Sequence, residues 1–360
     1  MNDCIDFARL QRIGLSPILQ REIALLPPPG DDEQLYRITE VQRGGLTLHD
    51  GGHEHPARAL PALMNRLRDD ADALAVGDWV FAATNALGER WVQRRVPPRN
   101  QIARRLHDGR DKIERAVIVS NVDTALLVMG LDADYNPRRL ERWLALVRMA
   151  GVGALVVLTK ADLCAETPER LRRVQAMLPP DAAVVAVNAL DAEAAAMLLP
   201  WLGAGQTLVL LGASGTGKST LTNTLAGAPL QATGANRSGD NRGRHTTTAR
   251  SLHCTDGGAC IIDTPGLRTL RLDGDAEALG SVFGDIAGLA LQCRFRDCGH
   301  GTEPGCAVRE GVPAERLRSY QKLLREARRD SLSLLEKQQL QARWKVHSRA
   351  ARERDKARRG

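Results

Sequence analysis

The feature that most limits the fold of this chain is Gly212-Ala213-Ser214-Gly215-Thr216-Gly217-Lys218-Ser219. It is a complete G-x-x-x-x-G-K-[ST] loop between the apolar run QTLVLLG and the helical segment TLTNTLAG. Such a loop needs a buried strand before it and a helix after it, because backbone N–H groups at the helix start must curl around an anion. The neighbouring segments meet that demand. TALLVMG (124–130), ALVVLTKADL (154–163), AAVVAVNAL (182–190), QTLVLLG (206–212) and ACIIDTPG (259–266) read as buried strands, with helical NPRRLERWLALVRMAG between the first two. This rhythm predicts an α/β domain whose parallel sheet is covered on both faces.

At 360 residues the chain is too long for a single small module. An amphipathic leader, residues 1–34, closes on Pro27-Pro28-Pro29-Gly30, a natural break. Residues 35–110 hold the short β-like segments LYRITEV, GLTLHDGG, AVGDWVFAA and ERWVQRRV, which predict a small barrel or sandwich, the oligonucleotide-binding barrel being one candidate. The α/β pattern fills 111–280, and 281–360 combines a cysteine cluster with a long basic helical tail. The expected fold class is therefore multidomain, with a small β-barrel, an α/β phosphate-loop domain and a C-terminal helical module.

Hydrophobic residues at 43% and charged residues at 26% exclude wholesale disorder. No apolar run reaches the roughly 18–20 residues that span a bilayer, and MNDCIDFARLQR is too charged for a signal peptide. A cytoplasmic protein with no membrane partner, acting as a monomer, is expected. The net charge of +7 is uneven: residues 313–360 carry 15 Lys/Arg against 6 Asp/Glu, a net +9, leaving −2 for 1–312. A tail of that kind either attracts a polyanion such as nucleic acid or is a solvated helix.

In the glycine-rich loop, Gly212 to Ser219 and the following Thr220 would cradle phosphates. Lys218 would meet the outer phosphate oxygens and Ser219 would hold Mg²⁺. Asp263, closing the strand ACIID, can reach Mg²⁺ through water, and the Gly266 amide can contact a γ-phosphate. Between them runs TGANRSGDNRGRHTTTAR, whose Thr246, Thr247 and Thr248 offer hydroxyls to Mg²⁺ and the γ-phosphate. The loop alone leaves ATP and GTP open. Thr159-Lys160-Ala161-Asp162 resembles the [NT]KxD element of GTPases, in which the carboxylate accepts from guanine N1 and N2 and the Lys stem lies over the base. Asn188-Ala189-Leu190 stands where a backbone N–H contacts guanine O6, with Asn188 in place of the usual Ser. In an ordinary GTPase the phosphate loop comes first and the base-reading elements last. Here the order is reversed, so the domain reads as circularly permuted.

Cys293, Cys298, His300 and Cys306 supply three thiols and an imidazole within a short polar, glycine-rich stretch. Four such ligands make a closed structural Zn²⁺ site, with no position left for a catalytic water.

With a β-module, a permuted GTPase and a zinc cluster in that order, the chain resembles the ribosome small-subunit-dependent GTPases (the RsgA/YjeQ family) over nearly its whole length. The strings carrying the resemblance are VGDWV, NVDTALLV, NPRRLERWL, TKADL, GASGTGKST, GRHTTTA, DTPG and the cysteine cluster. The resemblance implies an oligonucleotide-binding barrel, Mg²⁺-dependent hydrolysis of GTP to GDP and phosphate, and one Zn²⁺. It also implies action on the small ribosomal subunit and its rRNA in late maturation. DTPG is followed by Leu267, which cannot orient an attacking water; the family likeness points instead to His245 as the catalytic group, beside Lys218. Two other classes compete: a phosphate-loop ATPase or kinase, and a nucleotide-binding RNA scaffold in which hydrolysis is not the main function.

Overall fold

The computed structural model describes residues 5–42, 44–107, 113–228, 250–255, 257–264 and 278–331. Two compact units divide the chain, Met1–Leu272 and Asp273–Gly360.

The first unit opens with helices α1 (Phe7–Gln11) and α2 (Pro17–Ala24). Both begin on a side-chain cap: Asp6 accepts from the Arg9 amide, and Ser16 accepts from the Leu19 amide ahead of Pro17. The amphipathic leader thereby acquires a structural role. Its Leu10, Ile13, Leu15, Leu19 and Ile23 bury against Leu35, Trp79, Phe81 and Val96.

Next come β1 (Glu33–Gln42), β2 (Gly45–His49), β3 (Glu54–Ala59), α3 (Pro61–Asp69), β4 (Trp79–Thr84) and β5 (Arg90–Arg95). Their order is β1-β2-β3-β5-β4, and β4 returns to β1, so the five strands close into a barrel. A barrel, rather than a sandwich, results, with a helix between its third and fourth strands. Tyr36, Ile38, Leu48, Val80, Ala82 and Val92 fill it, capped by Leu63 and Leu67 of α3. The expected strand AVGDWVFAA starts later, at Trp79, because Ala75 to Asp78 form a turn in which the Asp78 carboxylate accepts from the Ala75 amide at 2.8 Å.

β6 (Gln101–His107) and β7 (Ile113–Ser120), which the sequence reading did not pick out as strands, form a separate antiparallel pair. The expected border at 110/111 lies outside the described residues. Beyond it lie β8 (Thr124–Gly130), α4 (Pro137–Met149), β9 (Gly153–Thr159), α5 (Thr167–Met177), β10 (Ala183–Ala186), α6 (Ala192–Leu198), β11 (Thr207–Gly212), α7 (Lys218–Ala226), β12 (Ser251–Cys254) and β13 (Cys260–Asp263). The sheet order β10-β9-β8-β11-β13 is parallel throughout, and β12 pairs antiparallel with β13. Leu126, Val128, Leu155, Val157, Leu208, Leu210 and Ile261 pack with Leu221 and Leu225 of α7 and Ala194 and Leu198 of α6. The alternate residues Leu127, Met129, Val156, Leu158, Val209 and Leu211 are equally buried, and α4 packs on β8 and β9.

Barrel and sheet are joined in one run of strands through β1 and β12, where Glu40 pairs with Ser251. Arg37, wholly buried, ties the same joint: it donates to the Ile13 carbonyl, to the Asn121 carbonyl at 3.3 Å and to Thr207 Oγ1 at 2.8 Å. Its guanidinium also lies 5.3 Å from the centre of the Trp79 ring.

The second unit contains α8 (Ala278–Val282), α9 (Gly284–Ala290), α10 (Ala307–Gly311) and α11 (Ala314–Ser331), the last covering the described start of the basic tail. Phe283 and Tyr320 meet edge-on at 5.3 Å, and Arg316, its guanidinium 4.9 Å from the centre of the Phe283 ring, pairs with Asp285.

Candidate functional site

Strand register gathers the motifs that the chain order separates. Gly130 pairs with Thr159, Leu158 with Ala186, Val128 with Gly212 and Leu210 with Asp263. The C-terminal ends of five parallel strands therefore share one edge, the place where an open α/β sheet holds its ligand. TKAD follows β9, NAL lies just beyond β10, the glycine loop follows β11, and Asp263 ends β13.

The loop is shaped for close approach. Gly217 caps α7 at φ +88°, and Gly215 has φ +82°, a region that penalises any side chain. At Gly212 a Cβ would come within 2.6 Å of the Val128 carbonyl and 2.9 Å of Thr216 Oγ1. Lys218 is buried and donates to the carbonyls of Gly212 (3.0 Å) and Ala213 (2.7 Å), so its ammonium sits inside the curve of the loop. Burial lowers its pKa, while the Asp263 carboxylate opposes that fall. Ala213, Ser214, Ser219 and Thr220 lie on the less buried side of the loop and first helical turn.

Asp263 is buried, and burial raises its pKa against the pull of Lys218. Its Oδ1 has no hydrogen-bond partner. An unsatisfied buried carboxylate oxygen beside a phosphate loop is a donor suited to a hard cation or its bound water, and Ser219 opens α7 on the same edge. Thr264, which the sequence reading left without a role, donates to the Leu210 carbonyl at 2.6 Å and pins the chain after Asp263 to β11.

The base-reading segment is physically coupled to the loop. Thr159 Oγ1, fully buried, donates to the Thr216 carbonyl at 2.6 Å. Lys160 adopts φ +61° and pairs with Asp132, a carboxylate just past β8 that sequence reasoning missed; its only signal was its place after a buried strand. Ala161 and Asp162 lie in a short 3-10 turn, with the Ala161 amide donating to the Val187 carbonyl at 3.3 Å. Asn188 uses its side chain locally, accepting from the Leu190 amide at 3.1 Å, and Thr224 of α7 donates to the Ala189 carbonyl at 2.7 Å. Ala189 is buried and Leu190 exposed. His245, Thr246, Thr247, Thr248 and Gly266 lie outside the described residues.

In the second unit, Cys293, Cys298, His300 and Cys306 bring their donor atoms within 4.8 Å of one another. His300 Nδ1 is 3.7 Å from Cys293 Sγ and 3.6 Å from Cys306 Sγ, and the two sulfurs are 4.0 Å apart. Zn–S bonds of about 2.3 Å and Zn–N bonds of about 2.0–2.1 Å in a tetrahedron give edges of about 3.6–3.8 Å, so the set fits that ion. The amides of Val308 and Ala307 lower the Cys293 pKa, and the Arg309 amide donates to Cys306 Sγ at 3.4 Å. Around the cluster, Glu303 accepts from the Gly299 and Gly301 amides, and Gln321 of α11 donates to the His300 carbonyl at 2.9 Å. Such outer contacts orient metal ligands. Among the described residues no helix is long and apolar enough to cross a membrane.

Comparison with known proteins agrees with this geometry. Residues 96–273 match the RsgA GTPase family. The small ribosomal subunit biogenesis GTPase RsgA of Xanthomonas campestris pv. campestris (strain B100) is 44% identical over 293 residues, covering 80% of this chain and 79% of its own. The protein of the same name from Xylella fastidiosa (strain 9a5c) is 45% identical over 294 residues, covering 80% and 84%. Among solved structures, YjeQ from Thermotoga maritima aligns with a TM-score of 0.59 at 21% identity, over 82% of this chain and 98% of that one. YloQ, described as a circularly permuted GTPase, aligns with a TM-score of 0.56 at 23% identity, over 84% and 98%. These two share the fold.

Proposed function

The chain belongs to the RsgA GTPase family, and from that premise we propose that it hydrolyses GTP to GDP and phosphate when bound to the small ribosomal subunit, in the last steps of that subunit's maturation. GTP hydrolysis is the activity of the family; the small subunit and its rRNA are the finer part of the reading. The observation that carries it is the shared edge on which the base-reading, phosphate and Asp263 elements meet despite their permuted order.

In this reading the loop amides from Gly212 to Thr220 and the Lys218 ammonium hold the phosphates, and Asp162 selects guanine through its paired N1 and N2 donors. Asn188, Ala189 and Leu190 would flank the base, with Lys160 beneath it, and Thr159 would hold that segment against the loop. Ser219 and Asp263 would hold Mg²⁺, which would supply charge neutralisation at the phosphates. Thr246, Thr247, Thr248 and Gly266 complete the γ-phosphate contacts, and His245 orients the attacking water in the place Leu267 cannot fill. Zn²⁺ on Cys293, Cys298, His300 and Cys306 organises the C-terminal module. The division into leader 1–34, barrel 35–110, GTPase domain 111–280 and zinc module with tail 281–360 belongs to the same proposal, as do cytoplasmic location and a monomeric state.

The test is GTP turnover by the purified protein, alone and with small ribosomal subunits, with ATP and large subunits as controls. Turnover alone should be on the order of 10⁻³ s⁻¹ or less, as for switch GTPases without an activator. Acceleration by the small subunit only, and for GTP only, is the expected result; measurable GDP binding without that acceleration would detach the GTPase from the ribosomal role. His245→Ala should abolish the accelerated turnover and spare nucleotide affinity, and unchanged accelerated turnover in that variant would exclude His245.

A further inference from the structure

Two of the thiols outside this chemistry face each other. Cys254 ends β12 and Cys260 begins β13, and the two are directly paired across the antiparallel ladder. The Cys260 amide is spent on the Gln206 carbonyl at 2.8 Å, on the far side of β13, while the next pair outward closes through the Thr255 amide on the Ala259 carbonyl. Cys254 and Cys260 therefore occupy a non-hydrogen-bonded position, where facing side chains lie closest and Cα atoms are about 4.5 Å apart. That spacing lies within the roughly 4.4–6.8 Å that a disulfide spans. Their sulfurs are 3.7 Å apart, Cys254 is exposed and Cys260 is completely buried.

We propose that Cys254 and Cys260 form an oxidisable dithiol, a site at which a hydroperoxide converts the pair into a cross-strand disulfide. The two residues divide the work. The Cys260 thiol hydrogen bond, with help from the Arg37 guanidinium, holds the Cys254 thiol below its ordinary range, while its contact with Cys254 and its burial push Cys260 up. Cys254 is thus both the more exposed residue of the two and the better thiolate, and the thiolate is the nucleophile. Its sulfur attacks the outer oxygen of the hydroperoxide, the O–O bond breaks, and the alcohol or water leaves with one proton. The Cys260 sulfur then displaces hydroxide from the Cys254 sulfenic acid, its own proton going to that hydroxide to make water. Two thiols are oxidised by two electrons and one peroxide bond is reduced. The bond closes the β12–β13 hairpin at the end opposite Asp263. In a reducing compartment such a disulfide is transient and reversible.

The experiment uses the full-length, metal-loaded protein exposed to stoichiometric hydrogen peroxide, followed by alkylation and trypsin. Both cysteines fall in one tryptic peptide, 251–268, which has no internal Lys or Arg. That peptide should become lighter by two hydrogens, resist alkylation, and return to the dithiol form with dithiothreitol. In Cys260→Ser the reaction should stop at a sulfenic acid on Cys254 that dimedone traps, and Cys254→Ser should leave Cys260 unlabelled. A peptide 251–268 that keeps both cysteines alkylatable at a dose that oxidises the 293–306 cluster would overturn the proposal. Disulfides from Cys254 or Cys260 to other cysteines, or dimedone labelling of Cys260 in place of Cys254, would overturn it too. The unsubstituted chain carries the main readout, so the outcome stands even where a serine variant fails to fold.

Discussion

The two candidate sites are assembled by opposite means. The nucleotide edge draws on residues from Thr159 to Asp263 and holds them by strand register above a dry core of Leu, Val and Ile. The cysteine cluster draws on residues 293–306, spans loops rather than strands, and lies in a segment whose residues from Gln292 to Gly305 are exposed or only half-buried. In the first, the packed sheet fixes the chemistry in advance; in the second, a bound metal would supply much of the order. A site made by the core should survive loss of its ligand, and a site made by a ligand should not.

Removing the metal tests the second half of that contrast and should give the largest effect. Structural Zn²⁺ sites in small peptides bind with apparent free energies of about 10–16 kcal/mol, and that energy is folding energy. A chelator should therefore erase amide protection across 293–306 while GDP binding persists. Protection retained without metal would mean that Phe283, Tyr320 and Arg316 order the module unaided. Lys218→Ala is the mirror experiment. It should lower GTP turnover about 10²–10³-fold, the usual loss when one charge-stabilising donor is removed, without changing protection at 293–306.

The contrast also explains what the sequence could disclose. Motifs that end buried strands were readable because glycine, lysine and carboxylate positions there follow from phosphate and base chemistry, and strands such as TLVLLG are apolar on both faces. β3 was not readable: its burial alternates, but the inward positions are His55, Ala57 and Ala59 rather than large apolar residues, and Pro56 stands between them, so the sequence carries little strand signal. β6, QIARRLH, and the first three residues of β7, Ile113-Glu114-Arg115, mix apolar and charged residues without a regular period and so read as a polar segment. Arg37 was hidden for another reason. A charge in LYRITEV reads as an outward residue, yet Leu35 to Thr39 are all buried because the barrel interior takes Tyr36 and Ile38 and the leader takes Leu35. Only the tertiary joint, with Ile13, Asn121 and Thr207 offering oxygens, gives that guanidinium its partners.

Acid should act in opposite directions on a buried carboxyl of the first unit and on the metal ligands of the second. Asp78 is wholly buried at the joint between barrel and β7, and burial pushes its pKa from an ordinary 3.8 up to about 6, against the pull of Arg95 and the Ala75 amide. Between those values the folded chain binds the extra proton. Its contribution to stability is therefore full below about pH 4 and is lost as pH rises through about 6, on the order of 2–3 kcal/mol in all. Thiolate and imidazole ligands behave the other way, since protons compete with the metal. Urea unfolding of the parent and of Asp78→Asn between pH 4 and 7 should show the difference between them in the first unit growing on acidification, while the second unit loses metal. That growth comes on top of the opposite trend from His49 and His253, whose pKa values burial lowers. An unchanged slope in that variant would assign the effect to another carboxyl.

The smallest predicted effect probes how far the core presets the nucleotide edge. Thr159 stands where GTPases more often carry Asn, and its hydroxyl reaches the Thr216 carbonyl at 2.6 Å from a fully buried position. Thr159→Val keeps the shape and the β-branch, so β9 should be undisturbed, but it strands the Thr216 carbonyl and uncouples the base-reading segment from the phosphate loop. A lost buried hydrogen bond of this kind costs about 1 kcal/mol, or roughly a fivefold rise in the Kd for GDP. If the edge is preset by strand register alone, the variant should bind GDP as the parent does, and the hydroxyl is a satisfied core group. If the tie matters, affinity for GDP falls while that for inorganic phosphate stays level, because only the relation between base and phosphate subsites has been loosened.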